Sequence, residues 1–245
     1  MKVAIIGGGV AGCAAAYYLS KDGHEVTLFE RDSLASHASG FALGGINPVT
    51  PNAREPEYKT FSDFSIGLHR GVAQELADVV GGDLNLVRKP SVKLVRDEAE
   101  ADEMREVYEA HATDFDYDMR WLGLGELSHI DARISNDVIG GLYIGEAFEL
   151  DPYKLTLSLW QAAESRGAQM VNREVSEISV AGNRVTGVVT EGGVFEADVV
   201  LAAAGPWSGG LLGALGVEVP VSPLRGQIIR LHAPSPPIKL SLWWD

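Results

Sequence analysis

A chain of 245 residues, 46% of them hydrophobic, can fill one large domain or two interleaved ones, and its composition excludes disorder as the dominant state. The net charge of −14 repels phosphate backbones and anionic lipid, which argues against nucleic-acid or membrane-surface binding. The one cysteine, Cys13, excludes an intrachain disulfide.

Lys2 and the apolar stretch that follows it to Leu19 superficially resemble a signal peptide, but Gly7, Gly8, Gly9 and Gly12 interrupt the run. No other stretch reaches the roughly 20 apolar residues that a spanning helix needs, so a soluble cytoplasmic protein is expected. Residues 2–6 (KVAII) predict a buried parallel strand, 10–21 (VAGCAAAYYLSK) a helix of small residues, and 25–30 (EVTLFE) a second strand. Between the first strand and the helix lies GGGVAG. In such a β-α-β unit Gly7 permits the tight turn, Gly9 lets a pyrophosphate approach the backbone, and Gly12 lets the helix lie near the strand. The helix opens at Val10 and Ala11, where free N–H groups and partial positive charge favour phosphate. Glu30, at the end of the second strand, can accept hydrogen bonds from ribose hydroxyls and disfavours a 2′-phosphate. NAD and FAD both fit this unit. A plain NAD domain would continue with a helix and a strand. Instead, residues 31–52 form a long loop of small residues, followed by a helix at about 56–80.

GGGVAG, Glu30-Arg31 and the stretch ASHASGFALGG (35–45) resemble the D-amino-acid oxidase family of FAD enzymes. The resemblance implies that Arg31 belongs to the cofactor site, that Ala38 and Ser39 lie near the diphosphate, and that Leu43, Gly44 and Gly45 put backbone groups beside the isoalloxazine ring.

Residues 81–150 change character. LVRKPSVKLVRD predicts a strand pair or a bent strand, 98–112 an exposed acidic helix, and IGGLYIGEAFELDP further strands and turns. Residues 153–166 have helical spacing ended by Gly167. QMVN is a short strand, and residues 175–204 predict an antiparallel meander running into a buried strand. From Leu150 to Ser208 this order also resembles the family, which implies that Val175 contacts the adenine through its backbone and that Gly205 and Trp207, in AAAGPWS, close over the cofactor from the opposite side. PLRGQIIRL (223–231) resembles the family's return strand into the substrate domain. DPY, the meander and the R-G-Q strand are most similar to the glycine oxidase branch.

The fold class expected is therefore α/β: a Rossmann-like FAD-binding domain (1–80 and 151–220) with an interleaved α+β substrate domain built on an antiparallel sheet (81–150 and 221–245). The resemblance implies oxidation of an amino-acid or amine C–N bond, with oxygen or another electron acceptor. A 2-hydroxy acid or tRNA-linked amine as substrate, and a non-catalytic FAD-binding fragment of a heteromer, stay open alternatives. Family members continue well past the length of this chain, and the ending LSLWWD is apolar, so an incomplete chain is expected, with a homo-oligomer or a separate C-terminal half left open. No catalytic side chain can be assigned; Arg225 is a weak candidate for a carboxylate partner. The six histidines are scattered without metal spacing, so no metal site is expected.

Overall fold

The structure is a computed structural model and describes residues 1–49, 56–81, 83–111, 117–232 and 236–244. In chain order the elements begin with β1 (Lys2–Ile6), α1 (Val10–Lys21), β2 (Glu25–Phe29), β3 (Gly45–Ile46) and α2 (Pro56–Val80). There follow β4 (Val87–Arg88), β5 (Ser91–Val95), α3 (Glu98–Ala110), β6 (Met119–Gly123), α4 (Leu124–Ile130), β7 (Gly140–Ile144) and β8 (Phe148–Glu149). Then come α5 (Pro152–Glu164), β9 (Gln169–Val171), β10 (Val175–Ala181), β11 (Arg184–Thr190), β12 (Gly193–Glu196), β13 (Val199–Ala202), a 3-10 turn at Gly205–Trp207, α6 (Ser208–Gly213) and β14 (Ser241–Trp243).

The chain divides into two compact units, the first made of Met1–Leu43, Gln74–Leu84 and Asp151–Ile229, the second of Gly44–Ala73, Asn85–Leu150 and Arg230–Asp245. Residues 44–73 thus group with the second unit, whereas the sequence reading places them in the first. The reason at 44–46 is local pairing. The Gly44 carbonyl accepts from Leu150 N–H at 3.0 Å, and β3 pairs antiparallel with β8.

The first unit holds a four-stranded parallel sheet in the order β13-β1-β2-β9, with β1 in register against both neighbours (Val3 beside Val199 and Val26). Val3 to Ile6 are all buried, as a strand covered on both faces requires. Helix α1 buries Gly12, Cys13, Ala16 and Tyr17, and it packs against α5. Asp151 caps α5, accepting from Lys154 N–H at 3.1 Å, with Pro152 at the first helical position. Gly167, at φ +95°, ends that helical segment. The meander β10-β11-β12 is antiparallel, and its Ile178 and Val188 join Ala4, Ile6 and Phe29 in one core.

The second unit has a mixed sheet, β14-β5-β7-β6, in which β5, β7 and β6 are antiparallel and β14 adds a parallel edge. Ala101, Met104 and Val107 of α3 pack on Val95, Leu142 and Ile144 beneath it. A smaller antiparallel sheet has the order β3-β8-β4.

Two expectations change. Residues 119–130 form β6 and the seven-residue α4, which the sequence reading leaves unassigned. Their signal is weak because glycines at 123 and 125 break both periodicities; the helix start is instead stabilised by the Glu126 carboxylate, which accepts from Gly123 N–H at 3.0 Å. Residues 223–231 belong to no strand, and Leu224 is 97% exposed. Apolar alternation suits a ladder, but among the described residues no neighbouring strand pairs with this segment.

Candidate functional site

The carboxyl ends of β13, β1, β2 and β9 border a cleft of about 780 Å³ in the first unit. Ligands bind in such sheets outside these ends. The floor is the β1–α1 turn. Gly7 sits at φ +111°, donates to the Phe29 carbonyl at 2.8 Å, and has Ala203 O only 2.4 Å from where a Cβ would be. Only glycine fits there. A Cβ on Gly12 would meet Gly7 O at 1.9 Å, so this glycine sets the approach of helix to strand. Gly9 is different: among the described residues, a Cβ there would meet only Ser39 Oγ, at 3.0 Å. Val10 N–H donates to that same Ser39 Oγ at 2.9 Å, which ties the loop 31–43 to the helix N-terminus.

Glu30 is buried at the end of β2. Its Oε2 accepts from Gly8 N–H at 2.7 Å and its Oε1 from Asp32 N–H at 2.8 Å. Each carboxylate oxygen carries a further lone pair, so ribose hydroxyls can add to these bonds. Asn172, just after β9, donates to the carbonyls of Glu30 at 2.9 Å and Asp32 at 2.6 Å. The ends of β2 and β9 are thereby locked together.

One wall is a clasp around Trp207. The Arg31 guanidinium lies 4.5 Å from the indole ring, and the His37 ring meets it edge-on at 4.9 Å. Arg31 is held by Glu174 at 3.1 Å and Asp32 at 3.4 Å, and these carboxylates, Glu174 foremost, raise its pKa further. His37 Nε2 lies 2.8 Å from Asp32 Oδ2, and this hydrogen bond is the main cause that lowers the Asp32 pKa. Glu30, Asp32 and His37 bring their polar atoms within 4.8 Å of one another; the two carboxylates are engaged by backbone N–H groups, Arg31 and His37, and that arrangement explains the cluster without a metal. Cys13, behind the turn, is inert: burial pushes its thiol up to about 12, and Sγ donates to Gly8 O at 3.6 Å.

Gly7, Gly9, Val10, Ala11, Glu30, Arg31, Ala38, Ser39, Val175, Gly205 and Trp207 all line this cleft. Gly12 lies behind it as packing. Leu43, Gly44 and Gly45 do not line it: Leu43 is 78% exposed at the edge of the first unit, and Gly44 and Gly45 belong to the second. Arg225 lies in an exposed segment without regular structure. Sequence reasoning missed Gly8, His37, Asn172 and Arg173. The middle glycine of GGG was the available signal for Gly8; the parallel pairing of β9 beside β2 reveals the placement of Asn172 and Arg173, and contacts with Asp32 and Trp207 reveal that of His37.

The residues fit a dinucleotide whose second nucleoside carries no 2′-phosphate. A glycine turn that leaves room for pyrophosphate, a helix N-terminus and an acidic strand end within one β-α-β unit define a dinucleotide-binding domain. The chain belongs to the DAO family, FAD dependent oxidoreductase, which it matches over residues 2–244. It is 30% identical to glycine oxidase of Geobacillus kaustophilus over 244 residues, covering 98% of this chain and 64% of that protein. Glycine oxidase of Pseudomonas aeruginosa is 29% identical over 242 residues, covering 93% of this chain and 62% of the relative. The crystal structure of the Geobacillus kaustophilus enzyme superposes with a TM-score of 0.92 at 30% identity, over 99% of this chain and 65% of that one. The chain thus spans about 64% of the length of the curated relative with which it shares 30% identity. No helix among the described residues is long and apolar enough to cross a membrane.

Proposed function

We propose that the first unit holds FAD and that the whole protein uses it to oxidise the C–N bond of an amino acid or secondary amine. The observation that carries this reading is the Glu30 carboxylate, buried beside the Gly7–Gly9 turn with both oxygens fixed by backbone N–H groups and facing the cleft. In this reading the N–H groups at Gly9, Val10 and Ala11 meet the pyrophosphate, with Ala38 and Ser39 beside it. Glu30 accepts from the ribose, the Val175 backbone meets the adenine, and Arg31, Gly205 and Trp207 close one side. Leu43, Gly44 and Gly45 would place backbone groups beside the isoalloxazine ring. The second unit would carry the substrate.

Bound FAD would supply the hydride-accepting chemistry by which the substrate C–N bond is oxidised to an imine, which water then hydrolyses. The chain contributes an anchor for the cofactor, with small residues at the turn that let the dinucleotide approach the backbone. The glycine oxidase relatives favour glycine as the substrate, and sarcosine and D-alanine belong in the same panel, with oxygen or another acceptor taking the electrons. The single buried thiol suits a reducing cytoplasm. The test is reconstitution of the full-length protein with FAD or NAD, followed by a substrate panel with peroxide detection. Retained flavin absorbance and imine-derived keto or aldehyde product support the reading. Tight NAD binding without flavin retention, or turnover of 2-hydroxy acids alone, would sink it.

A further inference from the structure

Arg173 lines the cleft from the end of β9, and among the described residues it has neither a carboxylate at ion-pair distance nor a side-chain hydrogen bond. Its backbone is firmly placed. Arg173 N–H donates to Val171 O at 2.9 Å, and Asn172 is bonded to the end of β2. The guanidinium runs over the β11–β12 turn, where a Cβ on Gly192 would fall 1.4 Å from Arg173 Nη1. Gly192 lies outside the left-handed region, so its backbone does not require glycine. The space a side chain would need there is taken by the Arg173 guanidinium.

The sheet order says what Arg173 faces. Along the carboxyl edge the strands run β1, β2, β9, ending in turn at the glycine turn, at Glu30 and at Arg173. Neighbouring strands lie about 4.8 Å apart, so the backbone at Arg173 stands roughly 10 Å along the edge from the glycine turn, one strand beyond Glu30. That is the place of the purine base. Resting on the FAD reading above, we propose that Arg173 is the residue that positions the adenine, its planar guanidinium lying against the ring, and that Gly192 is kept small so that it can. A guanidinium is weakly hydrated and stacks well on aromatic faces. Arg31 is less suited to the task, because Glu174, Asp32 and the Trp207 ring already engage it.

The test uses the full-length protein, with FAD affinity read by flavin fluorescence and with ADP, GDP and inorganic pyrophosphate as competitors. Arg173→Ala is expected to weaken FAD and ADP about tenfold and to leave pyrophosphate competition unchanged, since removing one desolvated cation–ring contact has that size. The preference for ADP over GDP should narrow. Gly192→Ala should weaken FAD about threefold with an unchanged melting temperature, and should add nothing in the Arg173→Ala background, because coupled residues are non-additive. Arg173→Lys should recover part of the loss. Binding of FAD and ADP within twofold of wild type by Arg173→Ala, or an equal effect of Gly192→Ala with and without Arg173, overturns the assignment. If the unmutated full-length protein retains no FAD, the cofactor reading itself falls; if it retains FAD and only these variants are silent, the adenine assignment alone falls.

Discussion

The two glycine turns of the first unit, 7–12 and 191–193, are both crowded, but by opposite kinds of neighbour. At Gly12 the missing side chain makes room for backbone: Gly7 O lies 1.9 Å from the virtual Cβ. At Gly192 it makes room for the tip of a flexible arginine. Backbone within a packed β-α-β unit cannot retreat, whereas a guanidinium can swing away. Gly12 in the first turn therefore specifies the fold, whereas Gly192 in the second specifies where one side chain rests. Sequence alone does not separate these roles, since both appear as glycine in a turn.

Gly12→Ala should break the first turn most severely. The carbonyl of Gly7 must shift, and with it the hydrogen bond from Gly7 N–H to Phe29 O. A loss of about 3 kcal/mol is expected, the upper end of overpacking costs, and thermal or urea unfolding would measure it. A melting temperature equal to wild type would show that the helix can slide away from the strand. Gly9→Val sharpens the contrast. Among the described residues its Cβ meets only Ser39 Oγ, so stability should hold within about 1 kcal/mol, while FAD affinity falls about 100-fold because the branched side chain enters the cleft. Titration with FAD alongside circular dichroism checks both halves. Glu30→Ala should come next, at about 1.5–3 kcal/mol of FAD binding, the value of a hydrogen bond to a charged group. Gly8 N–H and Asp32 N–H would lose their acceptors as well, so Glu30→Gln, which keeps one carbonyl oxygen, should fall between.

How much of this was legible in the sequence follows from the range of the forces involved. The β1-α1-β2 unit is read to within a residue, because its strands are short buried runs and its turn is forced by sterics. The acidic helix α3 and the capped helix α5 are equally legible from local signals. β6, α4 and the parallel pairing of β14 with β5 depend on partners far along the chain, and local pattern carries little of that information. In the site, Gly7, Gly9, Glu30 and Ser39 announce themselves by motif or resemblance. The clasp of Arg31 and His37 on Trp207, and the placement of Arg173, emerge only when the loop, the meander and the sheet edge meet.

The smallest effect falls in the second unit and tests whether its helix is held by local chemistry in the way the first unit's turn is. Asp97 is the N-cap of α3, with its carboxylate accepting from Glu100 N–H at 2.9 Å, and Glu100 in turn accepts from Arg96 N–H at 2.8 Å. Glu98 and Glu100 add favourable charge to the first turn. The helix carries six acidic side chains among its 13 residues, and only Ala101, Met104 and Val107 are buried. With so narrow a buried face, the cap should matter. Asp97→Ala is expected to cost about 1 kcal/mol, and Asp97→Asn much less, since asparagine caps nearly as well. Hydrogen exchange at Glu100 N–H would report the cap directly, with faster exchange in Asp97→Ala and near-normal exchange in Asp97→Asn. Equal loss in both variants would mean that charge against the helix dipole, rather than the hydrogen bond, holds the helix start.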